Sequence, residues 1–421
     1  MSFAPCQPSY SEQEFTLEKP PEKCDSSYDK KQKSLRSQRQ QYKGPFINGT
    51  IDIAPLKDIP IMSSAGLRDI SQTPLPTSWS WLEQGTSATS NEDGKPNNKI
   101  ENGDRNQGQC GSCWSFATAS VLGDRYAIKY NIPAPYPSTT NLISCMGPTI
   151  GSSYTANVQC QCGGSVIKAA EWLQQSSIKS DNCLPYTMLK QSQGNQLTAP
   201  NCSDWFKTCC ENCCESPEAK KEYSVMSGSV KRIVSRPSFN IDLDSTIISI
   251  KREIMGKGPV ATSILVPSDF ENWWASHSYD KSKYPGYLLS DEIYVPTGGN
   301  SGGHAICITG WGKKGNIEYW EIRNSWGSPG YAYFAMSNST PKQFWTGIDV
   351  PITSNGMSIG GAVSFDAGPL STDKKDYGEG VGGHAVGKGW KGEILDWKMI
   401  IMIAGVLLGI ILITTIIGNI L

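Results

Sequence analysis

Apolar positions are unevenly organised along this chain. Residues 1–74 carry no sustained apolar period, whereas residues 75–350 hold the aromatic and periodic content. Within that stretch Trp114, Ala117, Val121 and Ile128 recur at spacings of 3, 4 and 7, which predicts a helix opening near Cys113. Gly302-Gly303-His304 leads into the apolar run Ala305-Ile306-Cys307-Ile308, which predicts a buried strand. Tyr319-Trp320-Glu321-Ile322-Arg323 reads as a second strand. From Met399 to Leu421 there is no charged residue. About 20 apolar residues span a hydrocarbon core of roughly 30 Å as a helix, so 398–421 are expected to form a transmembrane anchor.

Composition sharpens this outline. The chain has 421 residues, with 38 Lys+Arg against 39 Asp+Glu and a net charge of -1. A protein that coats nucleic acid would be strongly positive, so no nucleic-acid partner is expected. Residues 30–43 are basic and contain no acid, which gives 1–74 the character of an arm or propeptide. Residues 353–392 are rich in glycine and serine, so 351–397 are expected to be a flexible linker. The N-terminus has no apolar run of the secretory type. Lys388, Lys391 and Lys398 before the anchor favour a cytosolic placement of the bulk of the chain. Glycan on the sequons at Asn48, Asn201 or Asn338 would argue against that topology.

Fourteen cysteines stand against a reducing compartment. Cys209-Cys210 and Cys213-Cys214 lie in a Cys-rich insert at 190–222. With no His nearby, they are read as disulfide staples rather than a zinc site. No metal or organic cofactor is expected.

The chemistry centres on Gln107-Gly108-Gln109-Cys110-Gly111-Ser112-Cys113-Trp114. A cysteine at a helix N-terminus feels the positive end of the helix dipole, which favours the nucleophilic thiolate. A thiolate needs a partner that takes and delivers a proton near neutral pH, and imidazole suits that task. The three candidates are His277, His304 and His384. His304 is chosen because a strand would hold it rigidly. His384 lies in the glycine-rich linker, and His277 follows Trp273-Trp274 as a packing or surface residue. Asn324, just after the second strand, can accept the imidazole N–H and fix its tautomer. Trp326 can shield that bond from water.

Together these motifs resemble the papain family of cysteine proteases, and within it cathepsin B. The likeness spans 74–350 and includes Leu75-Pro76-Thr77-Ser78-Trp79, Asp181-Asn182-Cys183-Leu184-Pro185-Tyr186, Gly258-Pro259-Val260 and Gly347-Ile348-Asp349. With its C-terminal anchor, the chain looks like papain-type proteases of large DNA viruses such as iridoviruses. Some of those viruses form disulfides in the cytosol. The resemblance implies an α+β fold of two lobes, one helical and one a β-barrel-like antiparallel sheet. It implies a catalytic domain at 75–350 acting on protein or peptide substrates. Cys113 would be the nucleophile, His304 the general base and acid, Asn324 the orienter, and Gln107 an oxyanion donor. Gly163, Gly164 and Trp326 would border the substrate. Cys110 would bridge to either Cys160 or Cys162.

One departure matters for activity. The insert at 190–222 falls where cathepsin B has its occluding loop, whose histidines grip a substrate carboxylate. This insert has no histidine. Endopeptidase action without dipeptide trimming is therefore expected. The competing readings are a catalytically silent membrane or virion scaffold, and the same chemistry turned to acyl transfer to an amine or to isopeptide cleavage.

Overall fold

The computed structural model describes residues 74–84, 100–108, 110–150, 163–184, 186, 221–235, 240–277, 288–327, 329–354 and 357–370. The expectations for the arm up to 73, most of the 190–222 insert, the linker from 371, His384 and the apolar run at 399–421 fall outside those residues. Among the described residues no helix is long and apolar enough to cross a membrane.

Elements in chain order are β1 (Trp79–Ser80), α1 (Cys113–Tyr130), α2 (Thr139–Ile150), α3 (Val166–Leu173), β2 (Ile178–Lys179), β3 (Glu222–Tyr223) and β4 (Lys231–Arg232). They continue with α4 (Leu243–Lys257), β5 (Val260–Pro267), α5 (Phe270–Ser276), β6 (Leu288–Tyr294), β7 (Asn300–Lys314) and β8 (Ile317–Arg323). The last are β9 (Tyr331–Ala335), β10 (Ile352–Ser354), β11 (Met357–Ile359) and β12 (Val363–Ser364).

The helix predicted at Cys113 begins there, but it is buried all round rather than on one face. Every residue from Cys113 to Ala127 is buried. That arrangement requires each polar side chain to find a partner inside. Thr118 donates to the Trp114 carbonyl at 2.8 Å, and Ser115 donates to the Thr139 carbonyl at 3.1 Å. Ser120 donates to Glu101 at 2.8 Å. The helix ends at Asn131, whose left-handed φ of 51° is tolerated by its short polar side chain.

Two apolar cores flank α1. One joins Trp114, Leu122 and Tyr126 to Leu142 of α2, Val166 and Leu173 of α3, and Phe365. The other joins Ile250 and Ile254 of α4 to Ile264, Ile308, Trp320, Ile322 and Phe334 of the sheet. These are the expected helical and sheet lobes, and α1 packs on β7 where they meet.

The main sheet runs β4-β12-β5-β7-β8-β9-β6, with β1 added to β7. It is not wholly antiparallel as expected, because β6 pairs with β9 in parallel. The chain crosses from β6 to β7 before β8 and β9 return, and a crossover, not a hairpin, yields parallel neighbours. A register shift lies between Ile308 and Gly310 of β7 where it faces β8.

The linker boundary at 351 needs correction. Residues 352–364 form β10, β11 and β12, and Val363 of β12 pairs with Ala261 of β5 inside the main sheet. Gly360 and Gly361 have φ of 81° and 79°, and a side chain at Gly360 would meet the Gly347 carbonyl oxygen at 2.1 Å. These glycines permit close backbone approach rather than tether flexibility.

Candidate active site

Cys113 opens α1, and no acidic side chain occupies the first turn of that helix. The positive end of the helix dipole therefore faces the sulfur without a competing carboxylate. Ser112 precedes it, and its carbonyl accepts the Ser115 and Phe116 N–H groups at 2.8 and 3.2 Å. Cys113 is fully buried and is not part of a disulfide.

His304 sits in β7 with Ile264 of β5 as its cross-strand neighbour. The next residue, Ala305, donates its backbone N–H to the Cys113 sulfur at 3.3 Å. The predicted strand thus places His304 next to a residue that contacts the Cys113 sulfur, 191 positions away in sequence, where α1 lies on β7. His304 Nε2 lies 2.7 Å from Asn324 Oδ1. Burial pushes the imidazole down to about 4, and the bond to Asn324 opposes part of that shift. The Trp326 ring stacks over the imidazole with centroids 4.9 Å apart and planes at 28°. Phe270 and Trp274 of α5 pack on Trp326 in turn. Trp326 is only 3 % exposed, so little of the ring is open to a substrate.

Gln107 is held at four points. Its backbone N–H donates to the Ser325 carbonyl at 2.8 Å. Its side-chain Oε1 accepts the Ser325 hydroxyl at 2.6 Å, and its Nε2 donates to the Cys110 carbonyl at 2.9 Å. Its own carbonyl accepts the Tyr186 hydroxyl at 2.9 Å. One Nε2 hydrogen remains beyond the bond to Cys110.

Gly163 has φ of 75°. A side chain at Gly164 would meet the Trp114 ring at 2.5 Å, so glycine there lets the segment close onto the residue after Cys113. The candidate partners of Cys110, Cys160 and Cys162, lie outside the described residues.

His277 takes the packing role expected of it. Its ring lies 4.4 Å from the Trp273 ring, and its Nε2 lies 3.1 Å from Glu292. The sequence reading missed Ser325, Ala305 and Tyr186 as parts of the site. Ala305 and Tyr186 stood in stretches already singled out, but neither residue type signals a contact at the site without the fold. Behind Asn324, a cavity of about 10 Å³ is lined by Glu101, Arg105, Ser120, Arg323 and Asn324, room for about one water molecule. No cluster of metal ligands occurs among the described residues.

Comparison with known proteins follows the same line. Residues 92–347 match the pattern described as Papain family cysteine protease. The chain is 29% identical over 232 residues to Cathepsin B-like cysteine proteinase 3 of Caenorhabditis elegans, covering 53% of each protein. It is 27% identical over 260 residues to Probable cysteine proteinase 024R of Invertebrate iridescent virus 3, covering 55% of this chain and 50% of that one. The chain spans about half the length of these curated relatives. A solved structure of proCathepsin B S9 from Trypanosoma congolense matches with a TM-score of 0.51 at 18% identity, over 83% of this chain and 100% of that one. That likeness shows the fold.

Proposed function

The chain belongs to the papain family of cysteine proteases, and from that premise we propose that it is an endopeptidase working through Cys113, His304 and Asn324. One observation carries the proposal: the Cys113 sulfur, at the head of α1, accepts the Ala305 N–H at 3.3 Å beside a His304 whose far nitrogen is fixed by Asn324 at 2.7 Å.

In this mechanism Asn324 holds Nε2, so Nδ1 exchanges a proton with the thiol. The thiolate attacks the scissile carbonyl carbon. The carbonyl oxygen becomes an oxyanion held by the Cys113 backbone N–H and the spare Gln107 Nε2 hydrogen. His304 gives its proton to the departing amine, leaving a thioester. It then takes a proton from water, which attacks the thioester, releases the acid and restores the thiol.

Residues 1–74 belong to the same reading as an arm or propeptide, on their basic, acid-free stretch at 30–43. The run from 399 to 421 is proposed as a membrane anchor on its uncharged composition, with the catalytic domain cytosolic or virion-internal. The similarity to an iridescent-virus proteinase supports a viral setting. Disulfide staples belong to the same reading, supported by the bonded state of Cys110, Cys145 and Cys183. Asn338 is an exposed sequon, and glycan found on it would overturn the cytosolic placement.

The test is labelling of the full chain with an epoxide of the E-64 type under reducing conditions, before and after limited proteolysis. Labelling confined to Cys113, with peptide hydrolysis lost in Cys113→Ala, is expected. An unlabelled Cys113 in both preparations would favour a silent scaffold.

A further inference from the structure

The stretch from Gln107 to Cys113 carries two groups that must face the same reacting carbonyl, and glycines at 108 and 111 lie between them. Gly108 has a left-handed φ of 59°. Within the loop, Ser112 N–H donates to the Cys110 carbonyl at 2.7 Å and Gln107 Nε2 donates to that carbonyl at 2.9 Å. Both bonds meet at Cys110, so neither ties Gln107 directly to the residue that precedes the nucleophile.

Tyr186 supplies that tie from a separate segment. Its ring packs edge-on against Phe116 in the first turn of α1, with centroids 4.7 Å apart and planes at 80°. Its hydroxyl donates to the Gln107 carbonyl at 2.9 Å and lies 3.0 Å from the Ser112 hydroxyl. A phenol has one hydrogen to give. Since that hydrogen goes to Gln107, Ser112 donates to the phenol oxygen. Burial raises the phenol well above its ordinary value, against the smaller opposing effect of the Ser112 bond and with a still smaller rise from the Cys113 sulfur, so the group stays a donor.

We propose that Tyr186 is a positioning residue for the reaction, joining the Gln107 main chain to the Ser112 hydroxyl and thereby fixing the side-chain oxyanion donor relative to the nucleophile. This rests on the protease reading above. Tyr186 touches no reacting atom and acts through Gln107.

Tyr186→Phe keeps the ring on Phe116 and removes only the hydroxyl. Loss of a whole oxyanion donor costs about 10²–10³ in rate, so loosening one is expected to lower kcat on a peptide amide by about tenfold, with KM within about twofold. Inactivation by iodoacetamide displaces iodide at a saturated carbon and forms no oxyanion, so its rate should stay near that of wild type. In a Gln107→Ala background, Tyr186→Phe should bring no further loss of kcat, because the donor it positions is gone. A merely structural tyrosine would slow alkylation and hydrolysis together, or give losses that multiply, and either result overturns the proposal. So does a variant with wild-type kcat. A wild-type chain that hydrolyses nothing and is not alkylated at Cys113 sinks the protease reading itself, and this inference with it.

Discussion

His304 is subject to two opposed influences. Burial lowers its affinity for a proton to a value of about 4, and the hydrogen bond to Asn324 raises it. An unfolded histidine titrates near 6.5. Between those values the unfolded chain binds a proton that the folded site rejects, so His304 withdraws stability as pH falls from about 6.5 to about 4. The shift corresponds to about 3 kcal/mol. His304→Gln lacks this term. Urea unfolding at pH 7 and pH 4.5 should therefore show wild type losing more stability than the variant. An equal loss in both would contradict a buried neutral imidazole.

At the scale of elements, the docking of β1 depends on one buried carboxyl. Ser80 of β1 donates to Glu321 Oε2 at 2.7 Å, and Thr309 of β7 donates to Oε1 at 2.7 Å. Trp79 and Ser80 pair with Trp311 and Gly310 of β7. A side chain at Gly310 would meet the Trp79 carbonyl oxygen at 2.3 Å, so glycine admits β1 to that edge. Burial pushes Glu321 up to about 7 against the two hydroxyl bonds. Its sign is opposite to that of His304. The folded state holds a proton that the unfolded state releases between about 4.5 and 7, so this carboxyl withdraws stability as pH rises through that window. Glu321→Gln imitates the protonated acid. It should leave stability nearly unchanged at pH 5 and raise it by about 1–3 kcal/mol at pH 8 in urea unfolding. A variant less stable than wild type at pH 8 would show that the charged carboxylate is the form β1 prefers.

Across the whole molecule, the two lobes share a buried ion pair. Arg323, the residue before Asn324 in the sheet lobe, grips Asp124 of α1 at 2.6 and 3.2 Å. Its Nη1 also donates to the Tyr331 hydroxyl at 3.2 Å. Burial pushes Asp124 above the ordinary carboxylate range, and the facing guanidinium limits that rise. Breaking such a pair strands a buried charge. Arg323→Met should cost about 3–5 kcal/mol, and a second change, Asp124→Leu, should restore part of it. Urea midpoints of the single and double variants check this. A double variant weaker than the single would mean the pair's neighbours, not the stranded carboxylate, set the cost.

Much of the site could be read from the chain. The Cys-Gly-Ser-Cys-Trp string followed by a 3.6-residue period located Cys113 at a helix start, because local spacing records which residues share a helix face. The apolar run after His304 and the asparagine after Tyr319–Arg323 located the other two groups, because short strands also leave a local trace. The full burial of α1 was not visible. Its serines, threonine, aspartate and arginine look solvent-facing until partners from other segments neutralise them. The three strands after 351 were hidden by the glycines between them, Gly356, Gly360 and Gly361, since glycine suits a linker as well as it suits tight backbone contact.

Sequence by itself determined the candidate groups Cys113, His304 and Asn324 and the helix and strands beside them, since residue type and near-neighbour pattern mark both. Only the tertiary structure decided that Ala305 meets the Cys113 sulfur, that Tyr186 and Ser325 hold Gln107, and that β12 completes the sheet. Those are contacts between residues far apart in the chain, and no local period encodes which distant surface a folded chain brings against them.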